Sequence, residues 1–166
     1  MQNTPSLRAE ILSIGTELLL GHTVNTDAQA IARALSPVGI ALYYIQTVGD
    51  NPQRIEECLR TALARSDLIL TTGGLGPTDD DLTKNVIASV TGHPLILYPD
   101  ELTRLTKKTK QDAPLLQKRQ ACFPESSSIL PNPMGTAPGC ILSLNDTKWI
   151  CLLPGPPREL IPMVQQ

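Results

Sequence analysis

Along the first hundred residues, short apolar runs alternate with segments whose apolar side chains recur every three or four positions. The apolar runs predict three β-strands, over residues 9–14, 40–48 and 67–72. The segments of helical spacing predict helices that begin after residues 25–27, after Asn51-Pro52 and near Leu82. Strands separated by helices of this length form a parallel sheet with right-handed crossovers and with helices on both faces.

The remainder of the chain is more polar and richer in proline. Residues 100–120 predict one surface helix, or two that are separated at Pro114. Two more strands are predicted over residues 140–144 and 149–153, with a turn between them. A last helix is predicted from Arg158. Because the chain stops just as this apolar helix starts, we expect a fragment that is truncated at its C-terminus.

The composition is that of one globular domain, residues 1–166. With 14 basic and 16 acidic residues the net charge is −2, which excludes a polybasic nucleic-acid-binding protein. One Trp, three Tyr and one Phe are too few for base-stacking platforms, so no nucleic-acid partner is expected. No apolar run spans a membrane, and the N-terminus lacks the apolar segment of a signal peptide. Four cysteines without a CxxC pair are interpreted as reduced thiols, which predicts a cytoplasmic protein.

Ligands of such sheets bind beyond the carboxyl ends of the strands, where residues 71–83 (TTGGLGPTDDDLT) form the most informative segment. Its glycines let backbone N–H groups approach an anion at the start of a helix. The segment lacks the lysine of a P-loop and carries Asp79, Asp80 and Asp81 instead. Three carboxylates repel a bare phosphate, so this pattern favours a phosphate or diphosphate bridged by a divalent cation. The alternative is that the aspartates only cap the helix.

Other polar residues follow the remaining strand ends, and each has a simpler alternative. Glu17 either faces the same crevice or is a solvated loop acid. Asp50 either points into the crevice or completes a turn, and Asn25 is a helix cap. In the proline- and glycine-rich loop 132–139, Thr136 is the side chain able to donate a hydrogen bond to a phosphate.

Seven segments together resemble a known family: GTELLLG at 15–21, NT at 25–26, VGD at 48–50, TGGLGPTDDDLT at 72–83, QACFPES at 120–126, LPNPMGTAPG at 130–139 and LPGPP at 153–157. In this order they resemble the molybdopterin-binding (MoaB/MogA-like) fold, and specifically the N-terminal domain of the CinA family. The resemblance implies an α/β protein, a three-layer α/β/α sandwich with a mostly parallel sheet. It also implies self-association into a homo-oligomer.

The resemblance implies metal-dependent ADP-ribose pyrophosphatase activity, which hydrolyses ADP-ribose to AMP and ribose 5-phosphate. CinA-like proteins also carry a nicotinamide-nucleotide amidase (deamidase) domain, but no residues here match it, so that activity is not expected. One alternative is the binding or adenylylation of molybdopterin. Leu75 and Pro156 stand where the molybdopterin enzymes carry Thr and Asn, which favours the CinA branch. A second alternative is a non-catalytic nucleotide-binding or assembly domain.

Under the leading hypothesis, the catalytic residues are Asp50, Asp80 and Asp81. A divalent metal, Mg²⁺ or another, is assigned to Asp80 and Asp81 together with Glu17. ADP-ribose or a related nucleotide is expected to contact residues of the glycine loop, the helix cap and the two later loops: Asn25, Gly73, Gly74, Gly76, Thr78, Thr83, Thr136, Gly139, Pro154 and Gly155.

Overall fold

The computed structural model describes residues 7–108 and 114–165. Its strands are β1 (Arg8–Ile14), β2 (Ala41–Val48), β3 (Leu68–Thr72), β4 (Leu95–Leu97), β5 (Cys122–Pro124), β6 (Ser128–Leu130), β7 (Gly139–Asn145) and β8 (Lys148–Leu153). Its α-helices are α1 (Thr16–Leu19), α2 (Thr26–Leu35), α3 (Pro52–Arg65), α4 (Thr83–Thr91), α5 (Pro99–Lys108), α6 (Pro114–Gln120) and α7 (Pro157–Val164). No helix within these ranges is long and apolar enough to cross a bilayer.

Six strands form one sheet in the order β2-β1-β3-β8-β7-β6. β2, β1, β3 and β8 pair in parallel, whereas β7 is antiparallel to both β8 and β6. β4 and β5 form a separate antiparallel pair. The mostly parallel α/β architecture predicted from the alternating pattern is therefore confirmed.

Two apolar cores lie on opposite faces of the sheet, because successive strand side chains point to opposite sides. On β3, Ile69 belongs to the core beneath α3 and α4, and the adjacent Leu70 belongs to the core beneath α2 and α7. On β8, Ile150 and Cys151 divide in the same way. Helices on both faces of the sheet give the three layers.

Local capping explains where the helices around the site begin. The Asn25 side chain accepts a hydrogen bond from the N–H of Ala28 at 3.1 Å, and Asn51 accepts one from Arg54 at 3.1 Å. The structure adds elements that the hydrophobic pattern did not predict: the four-residue helix α1 and the three-residue strands β4, β5 and β6. Such short elements leave too few residues for a periodicity to show.

A buried acid lies between the sheet and α3. Glu10 on β1 is fully buried and accepts hydrogen bonds from Arg65 at 2.6 and 3.0 Å and from Ser66 at 2.9 Å. Burial by itself raises the pKa of Glu10, but the hydrogen bonds from Arg65, Gln46 and Ser66 outweigh it and hold the pKa below its ordinary value. The Arg65 guanidinium also lies over the Tyr44 ring, 3.6 Å from its centroid.

All four cysteines are free. Burial raises the pKa of the Cys140 and Cys151 thiols to about 12, so both stay protonated at neutral pH.

Candidate functional site

A cleft of about 610 Å³ opens at the carboxyl ends of the parallel strands. Its walls come from the segments that follow β1, β3 and β8, with one side closed by Gln120 and Thr136. This is the edge at which open α/β sheets bind ligands, and it is the position predicted from the strand order.

The glycine loop that follows β3 is tied to both neighbouring strands. Gly73 has φ +91°, and its N–H donates to the carbonyl of Leu153 at 3.2 Å. A Cβ at this position would lie 2.2 Å from the carbonyl oxygen of Ile14. Both the backbone conformation and the close approach to β1 therefore require glycine.

The Asp81 carboxylate holds the far side of the same loop. One oxygen accepts the N–H of Gly76 at 2.8 Å, and the other accepts the N–H and the hydroxyl of Thr78 at 2.9 and 2.6 Å. Thr83, fully buried behind the loop, donates its hydroxyl to the carbonyl of Gly73 at 2.8 Å. These contacts fix the loop from Gly73 to Thr78 without any ligand.

Two backbone N–H groups of the loop have no hydrogen-bond acceptor among the described residues. The N–H groups of Gly74 and Leu75 donate to no residue in the described part of the chain, and both residues line the cleft. Unpaired backbone N–H groups in a fixed glycine turn form an anion-binding concavity. The loop can therefore accept phosphate oxygens through its backbone.

The loops after β1 and β2 are joined by a second carboxylate. Asp50 accepts hydrogen bonds from the N–H and the hydroxyl of Thr16 at 2.8 and 2.9 Å, and its own N–H donates to the same hydroxyl at 3.0 Å. Asp50 lines the cleft and is exposed. It therefore combines the turn role and the crevice role that the sequence left open.

The other two aspartates of the acidic triplet diverge. Asp79 forms an ion pair with Arg119 at 2.6 Å and lines a smaller neighbouring pocket. Asp80 is exposed and lines the main cleft, and no described residue donates a hydrogen bond to it. Asp80 is thus the member of the triplet whose carboxylate is available to a ligand.

The predicted metal ligands do not form a prebuilt site. Glu17, Asp80 and Asp81 all line the cleft, but among the described residues no three His, Cys, Asp or Glu side chains gather where they could hold a metal ion. Both Asp81 oxygens already accept hydrogen bonds. The donor set fits only an ion that takes one or two carboxylates and completes its shell with phosphate oxygens and water, as Mg²⁺ does.

The remaining predicted residues divide between the cleft and the core. Those that line the cleft are Asn25, Gly73, Gly74, Gly76, Thr78, Thr136, Pro154 and Gly155. Thr83 lies behind the loop, and Gly139 lies in β7, where a Cβ would be 2.4 Å from the carbonyl oxygen of Leu152. Neither of these two residues lines the cleft.

Sequence reasoning missed two buried acids of the cleft wall, Asp27 and Glu159. Asp27 is 9% exposed, and burial raises its pKa to about 6. Glu159 on α7 accepts a hydrogen bond from the Asn132 amide at 2.7 Å, and the side-chain oxygen of Asn132 accepts the N–H of Gly135 at 2.7 Å. Both acids occupy the first turn of a helix, where an acidic residue is ordinary, so no motif marked them.

A buried lysine joins two elements outside the cleft. Lys84 on α4 is 5% exposed and donates to the carbonyls of Arg119 and Gln120 at 3.0 and 3.2 Å. Its ammonium lies 4.9 Å from the centroid of the Phe123 ring. Burial lowers the pKa of Lys84 to about 8. These contacts assign Lys84 a structural role, joining α4 to the C-terminal end of α6.

Comparisons with known proteins agree with this architecture. The family model described as "Probable molybdopterin binding domain" matches residues 10–166. A CinA-like protein from Desulfovibrio desulfuricans is 52% identical over 161 residues, which are 96% of this chain and 38% of that protein. The chain therefore spans less than half the length of this relative.

Solved structures extend the comparison. The crystal structure of the protein CinA from Thermoplasma acidophilum aligns with a TM-score of 0.89 and 35% identity, and the alignment covers 96% of this chain and 95% of that one. The molybdopterin biosynthesis enzyme MoaB from Thermus thermophilus aligns with a TM-score of 0.66 and 22% identity, over 96% and 87% of the two chains. The second likeness shows a shared fold.

Proposed function

Since the chain belongs to the probable molybdopterin binding domain family, and within it to the CinA-like proteins, we propose that it hydrolyses the diphosphate of ADP-ribose to AMP and ribose 5-phosphate. The products follow from attack of water on one phosphorus atom. The bridging P–O bond breaks, its electron pair stays with the departing phosphate, and a proton is released.

The observation that carries this proposal is the pair of free N–H groups at Gly74 and Leu75 in a loop that is already fixed within the described part of the chain. A loop held by Asp81 and Thr83 does not need to reorganise when a phosphate binds. Preorganised donors of this kind stabilise negative charge that grows on phosphoryl oxygens as the bond breaks. Binding and catalysis would then use the same backbone groups.

The side chains around the loop have distinct parts in the proposal. Asp81 positions the loop and does not contact the reacting atoms. Asp50 keeps the segment after β1 close to the segment after β2. Thr136, whose hydroxyl accepts a 3.3 Å hydrogen bond from Gln120, lies in the cleft lining and can donate to a phosphate oxygen.

A divalent ion belongs to the same proposal. Asp80 would hold it together with oxygens of the diphosphate. When bound, such an ion neutralises charge on the phosphates and lowers the pKa of a bound water.

Incubation of the protein with ADP-ribose and MgCl₂, followed by liquid chromatography and mass spectrometry, tests the proposal. We expect AMP and ribose 5-phosphate in equal amounts, and no turnover in EDTA. Asp146→Asn, in the exposed turn between β7 and β8, is a control that removes one charge far from the cleft. ADP-ribose that stays intact while it raises the melting temperature would indicate a binding domain and contradict hydrolysis.

The family description favours a second candidate, the binding or adenylylation of molybdopterin. The same cleft would hold the phosphate of that ligand. Incubation with ATP, Mg²⁺ and molybdopterin separates the two, because adenylylation releases pyrophosphate and yields an adenylylated pterin.

A further inference from the structure

We propose that Asp27 is the group that recognises ribose in this cleft, by accepting a hydrogen bond from a ribose hydroxyl of a ribonucleotide. This inference deepens the proposed function and depends on it for the choice of ligand. It concerns a residue of α2 that the motifs did not mark.

Asp27 has no hydrogen-bond donor within the described part of the protein. It is 9% exposed, its Oδ1 is completely buried, and no described residue donates a hydrogen bond to either oxygen. A buried carboxylate is normally paired or hydrogen-bonded, because leaving it unpaired costs free energy. Asp27 therefore requires either a structural reason for its place or a ligand.

The helix cap does not supply a partner for the Asp27 carboxylate, because another residue caps the helix. Asn25 accepts the hydrogen bond from the N–H of Ala28, and its amide donates to the Ser13 hydroxyl at 2.9 Å. The cap of α2 is thus complete without Asp27. Asp27 lines the cleft, so a donor on a ligand can reach its carboxylate.

The glycine loop and Asp27 favour different parts of a ligand. The free N–H groups of Gly74 and Leu75 attract phosphate, whereas an ionised Asp27 repels it. A bound nucleotide therefore places its phosphates at the glycine loop and turns a part that carries O–H or N–H donors towards Asp27. In ADP-ribose the donors nearest to the phosphates are the ribose hydroxyls.

The lining of the cleft favours a sugar over a base. None of the residues that line the cleft in the described part of the chain is aromatic, so the cleft offers no ring on which a base could stack. The Asp27 oxygen other than the buried Oδ1 can accept a hydrogen bond from a ribose hydroxyl, as acidic residues do in dinucleotide-binding proteins. Asp27 would then select ribonucleotides over their deoxy counterparts.

Isothermal titration calorimetry tests this inference with ADP-ribose and with two analogues, each lacking the 2′-hydroxyl of one ribose. The proteins are the wild type, Asp27→Asn, Asp27→Ala and the charge control Asp146→Asn. We expect one analogue to bind the wild type about tenfold more weakly than ADP-ribose does. Asp27→Asn should weaken ADP-ribose binding by a similar factor and leave the affinity for that analogue unchanged. Asp146→Asn should behave like the wild type.

Equal weakening of ADP-ribose and both analogues by Asp27→Asn would overturn the inference, as would a wild type that is indifferent to both hydroxyls. A wild type that binds no ADP-ribose would overturn both the inference and the proposed function. Selective binding without cleavage would overturn the proposed function alone. Circular dichroism shows which variants are folded, and the asparagine variant keeps the shape of the side chain if alanine does not fold.

Discussion

The carboxylate of Asp81 accepts a 2.8 Å hydrogen bond from the backbone N–H of Gly76, and a Cβ at position 76 would lie 2.4 Å from the other oxygen of that carboxylate. A side chain at position 76 would therefore collide with the carboxylate that binds the Gly76 N–H, so this contact requires glycine at position 76. Asp81, marked by the sequence as a metal ligand, shapes the loop that would hold the diphosphate.

Asp80 and Asp81 are expected to respond differently to the same substitution. Asp81→Asn replaces one of the two accepting oxygens by an NH2 donor, so either Gly76 or Thr78 loses its acceptor. We expect about 1–2 kcal/mol less stability and at least a tenfold loss in kcat/KM that excess Mg²⁺ does not restore. Asp80→Asn leaves the loop intact, so stability should be unchanged while the half-saturating Mg²⁺ concentration rises severalfold.

Thermal denaturation and Mg²⁺ titrations of ADP-ribose hydrolysis measure both effects. Full restoration of Asp81→Asn by excess Mg²⁺ would show that Asp81 acts mainly as a metal ligand, against the positioning role.

Thr83 is expected to hold the loop through its hydroxyl alone. Thr83→Val keeps the shape of the side chain but leaves the buried carbonyl of Gly73 without its donor, so we predict a loss of about 1–3 kcal/mol in the free energy of unfolding. Thr83→Ser keeps the hydroxyl and should retain most of the wild-type free energy of unfolding. Urea denaturation of the two variants measures the difference. Equal free energies of unfolding in the two variants would exclude this role for the hydroxyl.

Asp27 is expected to lower the free energy of unfolding at neutral pH. Burial raises its pKa from 3.8 to about 6, so the folded state keeps a proton that the unfolded state has released between these values. The free energy of unfolding should therefore fall as the pH rises from about 4 to about 6 and stay lower above that. Asp27→Asn removes this cost, and we expect it to be about 1–2 kcal/mol more stable than the wild type at pH 7.

Urea denaturation of Asp27→Asn and of the wild type at pH 4 and at pH 7 checks this sign. A difference that is the same at both values would contradict the assignment of the proton to Asp27.

Glu10 is expected to raise the free energy of unfolding at neutral pH, whereas Asp27 lowers it. Its pKa is held below the ordinary value, so it contributes stability above pH 4.5 that is lost as the pH falls through its folded-state pKa. Glu10→Gln leaves Arg65 without its partner, and we expect a loss of about 3 kcal/mol at pH 7 that shrinks in acid. Glu56→Gln is the matched control, because its exposed pair with Arg60 contributes less than about 0.5 kcal/mol. Denaturant titrations of both variants at pH 7 and in acid measure these losses. Equal losses for Glu10→Gln and Glu56→Gln at pH 7 would contradict the account.

The central fold could be predicted because its signals are local. The run at residues 67–72 and the glycines that follow it place β3 and its loop almost to the residue. β4 and β5 could not be predicted, because Leu95 pairs with Pro124 across almost thirty residues and neither strand has more than three residues. Their pairing is a tertiary effect that sequence periodicity does not record.

The candidate site could be predicted in position but not in the roles of its acids. The glycines and the acidic triplet marked the correct edge of the sheet. The Asp81 carboxylate accepts a backbone N–H, whereas Asp27 lacks a donor among the described residues. This difference depends on packing between distant segments. Residue type and spacing carry no information on that choice.

The most direct measurement is a crystal structure of the protein with Mg²⁺ and a non-hydrolysable ADP-ribose analogue. We predict that oxygens of the diphosphate lie within hydrogen-bond distance of the N–H groups of Gly74 and Leu75, with the Asp81 contacts unchanged. A diphosphate bound elsewhere on the chain, with these two N–H groups facing only water, would contradict the account.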